Sequence, residues 1–302
     1  MAVIETIAPI FFIIIFGYIL QKKGLLKTEF IRESNRFVFL FSLPVLIFTG
    51  IMKSDVKDVG LMNILLVIVP TILVLFFTFL LAITMRLKGG TLGSFIQTAF
   101  HGNITYIGLA VLYYMLGDEG LKRGSILIGF LILVNNTLAI TVISWASQEN
   151  TNILKSFGSI VKTPVIIATF LGMIFLYLGV PVPKLLMKSM GILANIALPM
   201  ALIIIGASMS ADTIKSSFKL SGIVTFIKLM VLPFLSYLFC FVYDIPLRDA
   251  LPGVILLATP AATTSFILAN QLGGDTELAS GVITLSTLLS PFAFIFWTYV
   301  VR

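Results

Sequence analysis

The stretch "SFIQTAFHGNITYIGLAVLYYML", Ser94–Leu116, has the length of a membrane span but not the content of an ordinary one. About 20 apolar residues cross a hydrocarbon core of about 30 Å, and this stretch has 23 residues. Near its middle stand His101, Gly102, Asn103 and Thr105, and His101 is the chain's only histidine. In lipid each unsatisfied polar group costs several kcal/mol. The helix is therefore expected to break at this cluster, with the break lining a cavity inside protein instead of facing lipid.

The rest of the chain supplies the setting. Of 302 residues 59% are hydrophobic and 11% charged, with mean hydropathy +1.11, whereas soluble domains carry roughly a quarter charged residues. This composition implies an all-α integral membrane protein. Ten apolar windows predict ten transmembrane helices, at about 2–21, 34–52, 60–85, 92–116, 124–147, 160–179, 190–210, 220–243, 250–272 and 278–301. The short connections leave no room for a soluble domain, so residues 1–302 are expected to form a single transmembrane domain. The opening "MAVIETIAPIFF" lacks the basic lead-in and cleavage site of a signal peptide and reads as a retained span. Cys240 is the only cysteine and lies inside the eighth window, which gives disulfides and cysteine-ligated metals no support. No metal site and no cofactor are expected.

Net charge +7 reports orientation in a chain of this kind, not nucleic acid. Lys22, Lys23, Lys27, Arg32, Arg36, Arg86, Lys88, Lys155, Lys162, Lys215 and Lys219 fall on one side of a ten-span topology. Lys53, Lys57, Lys122, Arg123, Lys184, Lys188, Arg248 and Arg302 fall on the other, a balance of eleven to eight. The positive-inside rule then places both termini outside the cytoplasm of a multi-pass cell-membrane protein.

A shift of 155 residues aligns Pro9 with Pro164, Gly17 with Gly172, Gly24 with Gly179 and Pro44 with Pro199. The surrounding text agrees: "PIFFIIIFGYILQKKG" faces "PVIIATFLGMIFLYLG", and "SLPVLIFTGIMKSD" faces "ALPMALIIIGASMSAD". Two repeats, 1–150 and 155–302, would hold five spans each. An odd number inverts the second relative to the first, an architecture of secondary carriers whose sites lie where discontinuous helices meet. The shift pairs the fourth span with the ninth, "LPGVILLATPAATTSFILANQLGG", Leu251–Gly274, setting Thr105 against Pro260 and Ala110 against Ser265. In the ninth, Pro260 removes a backbone donor, and Thr259, Thr263, Thr264 and Ser265 are able to occupy freed backbone groups.

Several polar residues remain to be assigned. Asn103 offers two donors and an acceptor, suiting a carboxylate or a freed carbonyl. His101 reads as a packing or interfacial residue with a coupling role as the alternative. Lys228 is expected to snorkel to the cytoplasmic face, or else to attract an anion. Asn35 and Asn195 precede Pro44 and Pro199 and either bond freed carbonyls or face the site; Asn135 and Asn136 suit hydrogen bonds between helices. None of the thirteen acidic residues lies deep in a span, which speaks against a cation exchanger, because such exchangers need buried carboxylates.

At this point a resemblance enters. "GNITYIGLAV" resembles the fourth-span motif of the auxin efflux carrier family, an Asn followed by Gly at +5 and Pro at +7; Asn103 and Gly108 match, and Ala110 stands at the Pro position. "LPVLIF", "LPMALIIIGASMS" and "ATPAATTSFILANQLGGDTELASGVITLSTLLSP" resemble bacterial members, so the likeness covers nearly the whole chain. It implies ten spans in two inverted five-helix repeats, similar to the bile acid symporter and sodium/proton antiporter folds, with broken helices four and nine crossing at the substrate site. Plant members carry Pro at both crossing positions, where this chain has Ala110 and Ser265. Plant members export auxin; bacterial relatives are assigned to malonate, malate and other carboxylates.

The resulting expectation is a secondary transporter of small organic anions, not an enzyme, working by alternating access of the elevator type. Substrate contacts are expected from Asn103, Thr105, Tyr106, Thr259, Pro260, Thr263, Thr264 and Ser265, and the crossing from Gly102, Gly108, Ala110 and Pro260. His101 and Lys228 are the candidates for coupling or anion attraction. The partners are the anion and the lipid bilayer, with a homodimer left open. Alternatives are a sodium-coupled symporter of the bile acid type and a membrane sensor on a carrier fold. A membrane enzyme has no HExxH and no Asp-rich motif to support it.

Overall fold

The computed structural model describes residues 2–55, 60–148, 158, 161–209 and 218–301. Lys57, Lys155, Lys215 and Arg302, which entered the charge balance, lie outside these. The described residues are helical throughout, with no strand beyond one isolated bridge pair. The helices are α1 (Ala2–Lys22), α2 (Thr28–Phe37), α3 (Leu43–Met52), α4 (Leu61–Thr84), α5 (Gly89–Phe100), α6 (Leu109–Leu116), α7 (Asp118–Ser147) and α8 (Pro164–Leu178). They continue with α9 (Lys184–Ala194), α10 (Ala197–Ala207), α11 (Phe218–Phe226), α12 (Leu232–Val242), α13 (Leu247–Leu257), α14 (Thr264–Gln271) and α15 (Thr276–Val301). Among the described residues three π-turns, Val38–Ser42, Ile104–Gly108 and Ile227–Val231, interrupt the helices.

Among the described residues seven helical segments are long and apolar enough to cross a bilayer: Ile4–Lys22, Thr28–Met52, Leu61–Thr84, Asp118–Ser147, Lys184–Ala207, Phe218–Val242 and Thr276–Val301. Three of the sequence windows have no helix of that length. The sixth holds the 15 residues of α8, and the fourth and ninth are broken into α5 and α6 and into α13 and α14. Phe12, Phe76, Leu80, Phe241, Phe292 and Tyr299 are all more than half exposed. So many large apolar side chains on an outer surface suit lipid and would be an aggregation hazard in water.

The chain forms two compact units, each drawing on both halves of the sequence. One gathers the described residues of Met1–Leu61, Thr105–Phe130 and Val161–Met209. Its helices approach closely at glycines: a β-carbon on Gly17 of α1 would strike the Ile203 backbone of α10, and one on Gly206 of α10 the Ile14 carbonyl of α1. In the same unit a β-carbon on Gly172 of α8 would lie 3.2 Å from Ile51 of α3. Small residues at such crossings let backbones gain dispersion contact where lipid offers no hydrophobic driving force.

The other unit gathers the described residues of Met62–Ile104, Leu131–Ile160 and Ser210–Arg302. Here prolines decide the local structure. A proline in a helix frees the carbonyl four residues earlier, which in a membrane needs another donor. Pro70 frees Leu66 O, which accepts the Ser236 hydroxyl at 2.9 Å. Pro233 frees Leu229 O, which accepts the Trp297 indole N–H at 2.9 Å. Pro291 frees Thr287 O, which accepts the Ser290 hydroxyl at 2.9 Å. Pro260 ends α13, and Leu256 O accepts the Thr259 hydroxyl at 2.7 Å. The polar residues of these apolar helices are thus placed by backbone bookkeeping.

Candidate functional site

The site lies within the second unit, where two helices stop short. α5 ends at Phe100, and His101 turns extended with φ −78° and ψ 94°. α13 ends at Leu257, and α14 begins only at Thr264. The two opened stretches run antiparallel, Gly102 opposite Ala261. The Asn103 N–H donates to Pro260 O at 2.7 Å and the Ala262 N–H to His101 O at 2.9 Å. The Ala261 N–H donates to Ser286 Oγ of α15 at 3.0 Å. A β-carbon on Gly102 would meet Thr259 Oγ1 and stand 3.1 Å from Lys228 Nζ, so only glycine fits the crossing.

Lys228 belongs to the π-turn Ile227–Val231 and is fully buried; its Nζ donates to Leu257 O at 2.7 Å, capping the end of α13. The expectation that Lys228 snorkels is thereby corrected. The inserted residue of the π-turn re-aims the side chain, and the exposed carbonyl of a helix terminus attracts a cation. His101 likewise sits at the break, not in a packed helix face: its Nδ1 lies 2.6 Å from Gln97 Nε2, which also donates to Ser265 Oγ at 2.9 Å. With the amide as donor, Nδ1 accepts and the ring proton rests on Nε2.

Three features leave the crossing able to bind. The Asn103 side chain is buried and makes no hydrogen bond among the described residues. The N–H groups of Ile104, Thr263 and Thr264 have no acceptor there. Gln97 Oε1 is buried without a partner. Of the Lys, Arg, His, Asp and Glu side chains among the described residues, those that are buried are Lys228 and the neutral His101.

Of the residues expected at the site, His101, Gly102, Asn103, Thr259, Pro260 and Ser265 come together here with Lys228, and Thr263 and Thr264 start α14 with Thr264 exposed. Thr105, Tyr106, Gly108 and Ala110 belong to the first unit. There the Tyr106 hydroxyl donates to Asn35 Oδ1 at 2.8 Å, Gly108 closes a π-turn and Ala110 is buried in α6. The pairing of Gly102 with Ala261 also stands four residues off the 155-residue register that set Thr105 against Pro260. Asn135 is buried with neither side-chain polar atom paired, in place of the expected bond between helices. Asn195 is exposed and lines a cavity of about 330 Å³ in the first unit, with Lys53, Tyr113, Asp118 and Lys188.

Gln97 and Ser286 were missed. Gln97 carried a signal, lying one helical turn before His101 inside a largely apolar span; Ser286 in α15 carried none.

A family described as membrane transport protein matches residues 2–298 of the chain. The chain is a member of this family, the auxin efflux carriers. Auxin efflux carriers are transporters, so the crossing belongs to a multi-pass membrane transport protein. A "Putative malonate transporter" of Rhizobium meliloti is 26% identical over 307 residues, covering 98% of this chain and 95% of the relative. An "Uncharacterized transporter" of Methanothermobacter thermautotrophicus is 25% identical, covering 98% and 97%. The "Uncharacterized transporter YfdV" of Escherichia coli K12 is 22% identical, covering 99% and 98%. In this member of the family the two helices break at His101–Asn103 and around Pro260, and Gly102 lies opposite Ala261.

Proposed function

We propose that the protein is a secondary carrier of small organic anions, with mono- and dicarboxylates as the substrate class and malonate as the first candidate. The observation that carries this reading is the charge of the crossing. Lys228 is buried beside it, next to a neutral His101, with no buried carboxylate among the described residues. An uncompensated buried ammonium costs several kcal/mol, which a bound carboxylate offsets. Asn103 and the free N–H groups of Ile104, Thr263 and Thr264 add donors of the kind that hold anions at helix starts. The name of the Rhizobium relative supports malonate over auxin.

The architecture proposed is ten spans in two inverted five-helix repeats, with α2/α3, α5/α6, α9/α10, α11/α12 and α13/α14 each forming one interrupted span. In the 155-residue register Gly172 is the counterpart of Gly17, and α3 that of α10. Gly17 packs on α10 and Gly172 packs on α3, so the first span of each half meets the second span of the other, as a twofold relation between halves requires. Both termini are placed outside the cytoplasm, and alternating access proceeds by an elevator-type movement of one bundle.

Purified protein in proteoliposomes should accumulate radiolabelled malonate, with excess unlabelled malonate or malate abolishing the signal. Binding of carboxylates with no uptake of any would replace the carrier by a sensor. Neither binding nor uptake across a carboxylate panel would remove the organic-anion reading.

A further inference from the structure

Within the second unit, α4 is fastened near its start. Leu66 and Val67 are fully buried there, Leu66 O accepts the Ser236 hydroxyl at 2.9 Å, and a β-carbon on Gly253 of α13 would stand 2.8 Å from the Leu66 side chain. Toward its other end Phe77 and Leu81 of α4 line an apolar groove of about 520 Å³ together with Phe218, Gly222 and Phe226 of α11. The three α11 residues recur every four positions, so one face of that helix forms a wall. A β-carbon on Gly222 would have nothing within 4 Å. Inside a bilayer such a space takes up hydrocarbon, because an empty groove forfeits the dispersion contacts of its walls and lipid tails are as apolar as leucine.

The charge at the mouth selects among lipids. Lys219, the second residue of α11, lines the groove. At the facing end of α4 the Met85 N–H donates to Leu81 O at 3.0 Å, and Arg86 follows with φ 57°. The left-handed position that closes a helix favours glycine, and a side chain there carries a steric cost. An arginine is held there in spite of that cost. Lys219 and Arg86 are both exposed and have no acidic partner among the described residues. Two unneutralised cations thus stand at the end of the span where the groove opens. The proposed topology puts this end at the cytoplasmic leaflet, where basic pockets between helices attract anionic headgroups.

We propose that the groove between α4 and α11 is a binding site for an anionic phospholipid, with one acyl chain along Phe77, Leu81, Gly222 and Phe226 and the charged headgroup at Lys219 and Arg86. The site does not depend on what the crossing carries. The groove is also lined by Ile227 and Val231, the two ends of the π-turn from which Lys228 reaches Leu257 O. A chain packed against both ends braces that turn, and with it the cap on α13.

The test compares two lipids with the same chains. Delipidated wild-type protein in detergent is titrated with dioleoylphosphatidylglycerol and with dioleoylphosphatidylcholine; bound lipid is counted by native mass spectrometry, and stability is read as the melting temperature. Phosphatidylglycerol should bind more tightly, by roughly fivefold for each of the two basic residues, about 1 kcal/mol apiece, and should raise the melting temperature further. Lys219→Gln should lower the preference, and Lys219→Gln combined with Arg86→Gln should abolish it while phosphatidylcholine binding holds. Lys184→Gln, in the other unit, should leave it intact. Gly222→Leu puts a side chain into the groove and should weaken both lipids by at least roughly fivefold, with the lipid-free melting temperature kept or raised. Equal affinity for the two lipids in wild type, a preference that survives the double charge variant, or a loss as large in Lys184→Gln overturns the inference. Unchanged lipid binding in Gly222→Leu overturns it as well. If Gly222→Leu does not fold, the double charge variant, which alters exposed side chains alone, decides.

Discussion

Lys228 Nζ stands 3.1 Å from the point a β-carbon on Gly102 would occupy, so the lysine fills the volume that the glycine leaves open. The two residues are 126 positions apart and define the crossing from opposite sides. Gly102→Ala forces either the ammonium off Leu257 O or the strand off Ala261, and overpacking of this sort costs about 1–3 kcal/mol. Thermal unfolding in detergent should show a clear loss for Gly102→Ala. Gly222→Ala in α11, where nothing lies within 4 Å of the added carbon, should be neutral or stabilising by up to ~1 kcal/mol. Equal effects of the two substitutions would mean that the close fit has no energetic weight.

Ser286→Ala leaves the buried Ala261 N–H without its acceptor, the 3.0 Å bond to Ser286 Oγ. An orphaned buried donor costs about 1–3 kcal/mol. The expected result is a lowered melting temperature with uptake reduced in proportion to folded protein. Ser286→Thr keeps an oxygen and should recover most of the loss. A Ser286→Ala variant as stable as wild type would show that water replaces the hydroxyl.

The breaks at His101–Asn103 and around Pro260 were legible in the sequence because polar residues and a proline inside an apolar run have few arrangements that satisfy them in lipid. The same logic reached Asn103 and Ser265. It did not reach the placement of Lys228, because the count along span eight assumed a regular helix, and the π-turn Ile227–Val231 inserts a residue that redirects every side chain after it. Nor did it place Thr105, Tyr106 and Ala110, since a π-turn also follows Asn103 and carries them into the other unit. The 155-residue register was read from spans one, two, six and seven; connections between spans absorb insertions freely, which accounts for a four-residue offset at the bridge.

Asn103 makes its structural bond through the backbone, to Pro260 O, and leaves its side chain free. Asn103→Ala should therefore preserve expression, monodispersity and melting temperature while weakening malonate binding at least tenfold, about 1.4 kcal/mol. Isothermal titration or a thermal-shift titration measures both quantities on one sample. Binding retained within about twofold would remove Asn103 from the site.

Orientation is testable at two exposed lysines. Lys27 lies between α1 and α2 and Lys184 opens α9. With Cys240 replaced, Lys27→Cys should be protected from an impermeant thiol reagent in intact cells and Lys184→Cys labelled. The reverse pattern would invert the topology and leave the repeat untouched.

The sign of the substrate charge is the most consequential expectation. At the crossing, Lys228 and His101 are the buried basic residues, the N–H groups of Ile104 and Thr263 have no acceptor among the described residues, and Asn103 has a free amide. In a medium of low dielectric these contributions are screened far less than in water. A carboxylate gains from each of them. Its neutral amide keeps nearly the same shape and forfeits the charge, and an amine of similar size meets repulsion. Competition against radiolabelled malonate with malonate, malonamide and a diamine of like length should therefore rank the acid first by at least roughly tenfold, about 1.4 kcal/mol, with the diamine last. Lys228→Met should narrow the gap between acid and amide, since the ammonium is the largest single charge. Equal affinity for acid and amide would show that the crossing reads shape alone, and a preference for the diamine would mean that carboxylates outside the buried set govern binding.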